Sequence, residues 1–152
     1  TLTESISSNP QVFNLVDLDA QDVEITGTIK STNKGFGVSW SDNQVDDTAG
    51  GNTSFLRVGV DGSNYLLAWS TINGVQTNHT SSLNQRYTNN SELTFVISRV
   101  ENSATLTISG YTYNFTFAPS LQYVNLVSWN NTGKTLTVEN MKIKPLSEFP
   151  LE

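Results

Sequence analysis

Apolar and polar residues alternate with a period of two along most of this chain, which is the pattern of β-strands with one buried face. The clearest example is residues 22–31, where Val23, Ile25 and Ile29 alternate with polar neighbours. We find no convincing apolar stripe at the helical period of 3.6 residues. The alternation predicts strands at residues 22–31, 35–42, 54–61, 64–71, 75–80, 92–101, 104–109, 111–117, 123–129 and 135–144.

Turn-forming residues separate these segments. Asp61-Gly62-Ser63 and Asn73-Gly74 supply residues that tolerate the positive φ of a tight hairpin turn. Strands that recur roughly every 8–12 residues are typical of sandwiches and jelly rolls. We therefore predict an all-β fold, an antiparallel two-sheet jelly-roll sandwich of roughly eleven strands. Strand number alone does not separate this fold from an immunoglobulin-like sandwich.

Length and composition narrow the class of protein. The 152 residues suffice for one domain, and we assign residues 1–150 to a single β-sandwich domain, with Leu151 and Glu152 as a cloning scar. There are no cysteines, so a disulfide framework and a thiolate metal site are excluded. The net charge of −6 argues against nucleic acid as a partner. No apolar run reaches the roughly 18 residues of a membrane span, so we expect no membrane insertion.

Five segments together resemble a known superfamily. They are DVEITGTIK (22–30), GFGVSWSD (35–42), FLRVGVDGSNYLLAW (55–69), LTFVISRVENSATLTI (93–108) and LTVENMKIKPL (136–146). The order and texture of these strands resemble the concanavalin A-like lectin/glucanase superfamily, in its laminin-G-like and carbohydrate-binding-module branches. Similar domains occur in adhesin-like surface proteins and in phage tail receptor-binding proteins. The resemblance implies a jelly roll that binds a glycan or cell-surface ligand, on an extracellular, cell-surface or virion-surface protein.

The acidic residues do not form the pattern of a glycoside hydrolase. Catalytic members of the superfamily carry carboxylates along one strand, and the chemistry needs two carboxyl groups about 5–9 Å apart. Here Glu24 and Glu139 stand alone within their predicted strands. His79 is the only histidine, and we expect it at a surface strand end, where it supports neither a zinc site nor a catalytic triad. We therefore expect no enzymatic activity.

Alternation also predicts which residues could bind a sugar. If Leu56, Val58 and Val60 face the core, the neighbouring positions of the same strand face outward, and two further strands follow the same rule. Sugar binding needs flat aromatic faces together with amide or charged groups. The predicted ligand-binding face carries both and consists of Arg57, Tyr65, Trp69, Tyr123, Asn125 and Trp129.

The same aromatic residues have an alternative location in the core. Large aromatic side chains more often fill a sandwich than line a site. We expect Trp40 in the core, we favour the core for Trp69, and we leave Trp129 open between core and surface. If all three are buried and no groove exists, the chain is instead a structural spacer or assembly domain without a ligand.

One loop holds a candidate calcium site. Asp42, Asp46 and Asp47 lie in the long loop 42–53, and carboxylate oxygens are the ligands that calcium prefers. Their spacing matches no standard calcium loop, so we predict no cofactor and keep calcium as the alternative.

Overall fold

The computed structural model describes residues 1–8, 10–42, 53–129 and 132–146, and the regular structure in these ranges consists entirely of β-strands. The predicted all-β sandwich is confirmed. The described residues form twelve strands, one more than the rough prediction: β1 Leu2–Ser5, β2 Gln11–Asp17, β3 Val23–Ser31, β4 Phe36–Ser41, β5 Phe55–Val60, β6 Leu66–Ile72, β7 Val75–Asn78, β8 Leu93–Val100, β9 Ser103–Ile108, β10 Tyr111–Thr116, β11 Tyr123–Ser128 and β12 Thr135–Pro145.

The strands build two six-stranded antiparallel sheets. Sheet A has the order β1-β12-β3-β8-β9-β10, and sheet B has the order β2-β11-β4-β5-β6-β7. Within sheet B, β4 to β7 follow one another as hairpins, which brings consecutive segments of the chain side by side. No helix in the described ranges is long and apolar enough to span a membrane.

The turns of sheet B follow from the residues that form them. Between β5 and β6, the Asp61 carboxylate accepts hydrogen bonds from the backbone N–H of Ser63 (2.8 Å) and Tyr65 (3.0 Å). Between β6 and β7, Asn73 and Gly74 both have positive φ, 48° and 86°, as a two-residue hairpin requires. Both predicted hairpins are confirmed.

The first two strands were not predicted, because their alternation is short or broken. β1 has only four residues, and β2 carries a bulge where its register with β11 shifts, between Val124 and Asn125. A bulge places an extra residue in one strand, so the inward and outward positions exchange along its length. The alternation that identified the other strands is therefore lost.

The core lies between the sheets and receives the inward side chains of both. The predicted inward positions Leu56, Val58 and Val60 are fully buried in it, as are Val124 and Leu126 of β11. Trp40 also lies in this core, as expected.

The centre of sheet B is buried on both faces. Every residue of β4 and β5 is buried, including those that point away from the core. Gly37 and Gly59 face each other across these two strands. A Cβ atom on either glycine would collide with backbone of the facing strand, so the two strands pack too closely here for a larger residue.

Candidate functional site

One row of residues crosses the outer face of sheet B, the face that points away from the core. Strand pairing places Asn125 beside Ser39, Ser39 beside Arg57, Arg57 beside Trp69 and Trp69 beside Asn78. Because side chains at paired positions of neighbouring strands point to the same side, this row combines a guanidinium, an indole and amides.

Arg57 is the centre of an aromatic cluster on this face. Its guanidinium carbon lies 4.2 Å from the ring centroid of Phe55, 5.1 Å from that of Trp69 and 5.2 Å from that of Trp129. Arginine above aromatic rings at such distances makes cation–π interactions. Arg57 is fully buried, and three aromatic rings lie around its guanidinium.

The two glycines explain how Trp129 reaches Arg57. The backbone N–H of Trp129 donates to the carbonyl of Gly35 (3.0 Å), which places Trp129 two rows away from Arg57 along the sheet. Gly37 and Gly59 occupy the row between them. Since neither has a side chain, no side chain of β4 or β5 stands between the indole and the guanidinium.

Asn125 carries a buried amide with one unused side. Its Oδ1 accepts a hydrogen bond from Asn14 Nδ2 (3.1 Å), whereas its own Nδ2 has no hydrogen-bond partner among the described residues. An unpaired buried N–H group is costly, and such groups in native proteins commonly receive a ligand or a water molecule.

A pocket of about 190 Å³ opens beside Trp69, at the β6–β7 side of the same face. Leu67 and Trp69 supply its apolar wall, and Gln76 and Asn78 of β7 supply two amides. Asp61, from the turn after β5, supplies a carboxylate. The pocket therefore combines an aromatic surface with hydrogen-bonding groups of both kinds.

Hydrogen bonds within the protein fix three of these side chains. Trp69 Nε1 donates to Thr71 Oγ1 (3.0 Å), and the indole packs against the Phe55 ring with centroids 5.7 Å apart. Asn78 Oδ1 accepts from the backbone N–H (3.0 Å) and Oγ1 (2.8 Å) of Thr80. This orients Asn78 Nδ2 as the free donor, while Asp61 uses Oδ1 for its turn and keeps Oδ2.

The structure brings together part of the face predicted from sequence. Arg57, Trp69 and Trp129 form one cluster, and Asn125 lies in the same row as Arg57. Tyr65 and Tyr123 lie at opposite ends of the face and do not stack on Arg57. Tyr65 instead contacts Arg86. The Arg86 guanidinium lies over the Tyr65 ring, and its Nη1 donates a hydrogen bond to the Tyr65 hydroxyl (3.0 Å).

Two expectations about burial were wrong. Arg57 and Asn125 were expected to face solvent, but both are fully buried, because aromatic rings surround the guanidinium and Asn14 adjoins the amide. For Trp69 the core was favoured, but the side chain lies half-buried on the outer face. Trp129, left open before, is also half-buried there.

Several residues of this face were not predicted as ligand-binding. Phe55 completes the arginine cluster, and the pocket adds Asp61, Leu67, Gln76 and Asn78. Extending the alternation from β6 through the Asn73-Gly74 turn would have placed both amides beside Trp69, because the hairpin fixes the register of β7.

The described residues offer no metal centre. Among them, no group of three or more histidine, aspartate or glutamate residues could hold an ion. Asp42 accepts a hydrogen bond from the backbone N–H of Ser54 (3.0 Å), which gives it a structural role at the end of β4. The other two calcium candidates, Asp46 and Asp47, lie outside the described residues.

His79 directly follows the last residue of β7 and is partly exposed, in agreement with the expected surface strand end. Its ring stacks on Phe115 of β10, with centroids 4.0 Å apart, and its Nε2 lies 2.9 Å from Ser70 Oγ. Partial burial lowers the pKa of its imidazole. His79 therefore packs against both β10 and β6 while part of the residue remains accessible to solvent.

The arrangement of two antiparallel sheets is the jelly-roll fold of lectins and carbohydrate-binding modules. The chain is similar to a structure titled carbohydrate binding module CBM66 from Bacillus subtilis, with a TM-score of 0.60, 11% identity, and 91% of this chain and 83% of that chain covered. A tetrameric galectin from the ball sponge Cinachyrella sp. gives a TM-score of 0.59 and 13% identity, covering 89% of this chain and 99% of that chain.

A third similar structure is chicken galectin 2, with a TM-score of 0.58, 10% identity, and 87% of this chain and 98% of that chain covered. Such low identities show a shared fold and do not transfer residues or ligands. The predicted resemblance to the concanavalin A-like fold is confirmed. No protein-family model matches the sequence, and no curated protein matches it.

Proposed function

We propose that this chain is a carbohydrate-binding module that holds a glycan on the outer face of sheet B. The observation that carries the proposal is the pocket in which the half-buried Trp69 faces the amides of Gln76 and Asn78 and the carboxylate of Asp61. The apolar C–H face of a pyranose packs on an aromatic ring, and its hydroxyls pair with amides and carboxylates.

The pocket also favours binding over the alternative of a structural spacer. A spacer requires that all three tryptophans be buried and that no groove exist. Only Trp40 is fully buried, while Trp69 and Trp129 keep part of their surface accessible on one face of the sandwich. We extend the proposal to the context that the sequence resemblance implies, a glycan-binding domain of an adhesin or tail-fibre protein at a cell or virion surface.

Replacing Trp69 by alanine should strongly weaken glycan binding. The change removes the stacking surface, and aromatic side chains at binding centres commonly contribute about 2 kcal/mol or more, a loss of roughly thirtyfold in affinity. A glycan array identifies ligands of the wild-type chain, and titration calorimetry with the strongest one measures the change.

Two variants separate lost binding from lost folding. Gln76→Ala truncates an exposed pocket residue of β7 and should weaken binding without changing the melting temperature. Tyr111→Ala, which removes an exposed aromatic residue from β10 of sheet A, should leave binding unchanged. An array without ligands, or Tyr111→Ala acting as strongly as Trp69→Ala, would contradict the proposal.

A further inference from the structure

We infer that Asp61 determines the charge class of the ligand, so that the pocket beside Trp69 accepts an uncharged sugar ring and rejects uronic and sialic acids. This inference rests on the proposed glycan-binding function and adds its selectivity. It follows from how Asp61 is held, from the groups around it and from the position of the nearest cations.

The carboxylate of Asp61 is fixed in place by its own turn. Oδ1 accepts hydrogen bonds from the backbone N–H groups of Ser63 (2.8 Å) and Tyr65 (3.0 Å), and all side-chain hydrogen bonds of Asp61 within the described ranges use this atom. Asp61 also lines the pocket, so Oδ2 is left as an acceptor there. A carboxylate oxygen accepts from a hydroxyl but has no hydrogen to donate to an anion.

The other pocket groups complete a hydroxyl-binding set. Asn78 Nδ2 is the free donor because Thr80 occupies Oδ1, and the amide of Gln76 makes no hydrogen bond with the described residues. Donor and acceptor thus line one pocket together with the Trp69 indole. Different hydroxyls of one sugar can donate to Asp61 and accept from Asn78.

No cation among the described lining residues offsets the charge of Asp61. Arg57 lies against Trp69 but is fully buried within the aromatic cluster. Arg86 is exposed but is held 4.9 Å above the Tyr65 ring and is not among the lining residues. With a net charge of −6 for the whole chain, a ligand carboxylate in this pocket meets repulsion at short and long range.

Matched ligand pairs test this selectivity. The wild-type chain is first applied to an array of neutral oligosaccharides and their uronate or sialylated counterparts. Calorimetry then measures the dissociation constants of the strongest neutral binder and of its acidic counterpart. We expect the neutral partner to bind at least about tenfold more tightly, as a like-charge contact at partly screened distance implies.

The variant Asp61→Asn then tests the contribution of the Asp61 charge alone. The amide oxygen can still accept from the turn, so the fold is retained, and the ratio between neutral and acidic ligand should fall toward one. Arg86→Gln is the control and should leave the ratio unchanged. Tight binding of acidic glycans by the wild type, or an unchanged ratio in Asp61→Asn, overturns the inference while glycan binding stands. An array with no binder of either class overturns the proposed function itself.

Discussion

The amine of Lys134 is the most deeply buried of the lysine side chains whose surroundings are described. The residue is 2% exposed, and its Nζ donates to the backbone carbonyls of Lys34 and Gly35, the latter at 2.7 Å. Gly35 also accepts from the backbone N–H of Trp129, so Lys134 helps to fix the segment before β4 to which Trp129 is hydrogen-bonded. Burial lowers the pKa of Lys134 to about 8, from its ordinary value of 10.5.

This pKa predicts a stability that rises with pH. Between pH 8 and 10.5 the unfolded chain holds a proton on Lys134 that the folded chain has released, so the free energy of unfolding increases through that window. Below pH 8 both states are protonated and the contribution is constant. Urea unfolding at several pH values measures the slope, which Lys134→Met should reduce. Equal slopes in the two proteins would show that Lys134 does not titrate in this range.

For single residues, the sequence predicted correctly which face of the sheet a side chain points to, but it did not predict whether that side chain is exposed to solvent. The direction of a side chain in a strand depends only on its parity, so Arg57, Trp69 and Trp129 were correctly placed on one face. Exposure depends on what lies over that face. Alternation places Phe55 on the same face of β5 as Arg57, but Trp129 follows a different strand, β11, and the pattern within β5 does not show that its ring lies over the guanidinium.

Among the elements, the closely packed strands β4 and β5 give the sharpest test. Gly59→Ala would place a Cβ atom against the backbone carbonyl of Phe36 and the Cα of Gly37. Backbone in the centre of a sheet cannot move aside, so we expect a loss of about 1–3 kcal/mol in the free energy of unfolding. Urea unfolding measures it.

A second glycine gives the matched comparison. Gly110 lies in the β9–β10 turn with a φ of 88° and no neighbouring atom that a Cβ would meet. Gly110→Ala should cost only the penalty of a left-handed conformation, about 1–2 kcal/mol, and should leave glycan binding intact. Gly59→Ala should also weaken binding, because it alters the surface between Trp129 and Arg57. Binding that is the same in both variants would exclude this role of Gly59.

Strands could be predicted where apolar and polar residues alternate regularly, and the prediction failed where that alternation is interrupted. The ten assigned strands were found because hairpin turns such as Asn73-Gly74 separate regular segments. Strand β2 was missed because of its bulge, and β12 contains a second irregularity between Glu139 and Lys142, where Asn140 has a φ of 55°. β12 was still recognised, because regular stretches remain on both sides of the irregularity.

For the whole molecule, ligand binding should appear as thermal stabilisation. A glycan that binds only the folded chain, at a concentration of 100 times its dissociation constant, adds about 2.7 kcal/mol. For a domain of this size that corresponds to a rise in melting temperature of roughly 5–10 °C. Differential scanning calorimetry measures the shift, and at the same ligand concentration Trp69→Ala should reduce it to about a third or less, as a thirtyfold weaker affinity implies. An equal shift in Trp69→Ala would place the ligand elsewhere on the molecule.

The fold was recognisable from the order and length of strands although identity to solved jelly rolls is only 10–13%. Sandwich architecture needs alternation, turn residues and inward apolar side chains, which many sequences provide. The pocket needs particular side chains at particular positions of the sheet. Two of them, Gln76 and Asn78, lie on β7, and their position beside Trp69 becomes visible only when β7 is paired with β6. The fold was therefore more predictable than the site.

The contrast between the buried strands β4 and β5 and the exposed strand β7 has a consequence for redesign. All four residues of β7 are exposed, and within the part of the chain that the structure describes this strand pairs only with β6. Exchanging Gln76 or Thr77 therefore disturbs no packed interior, whereas exchanging Phe55 or Gly59 does. A library of variants restricted to β7 should consequently yield folded proteins with altered sugar preference, while the neighbouring strands serve as an unchanging support.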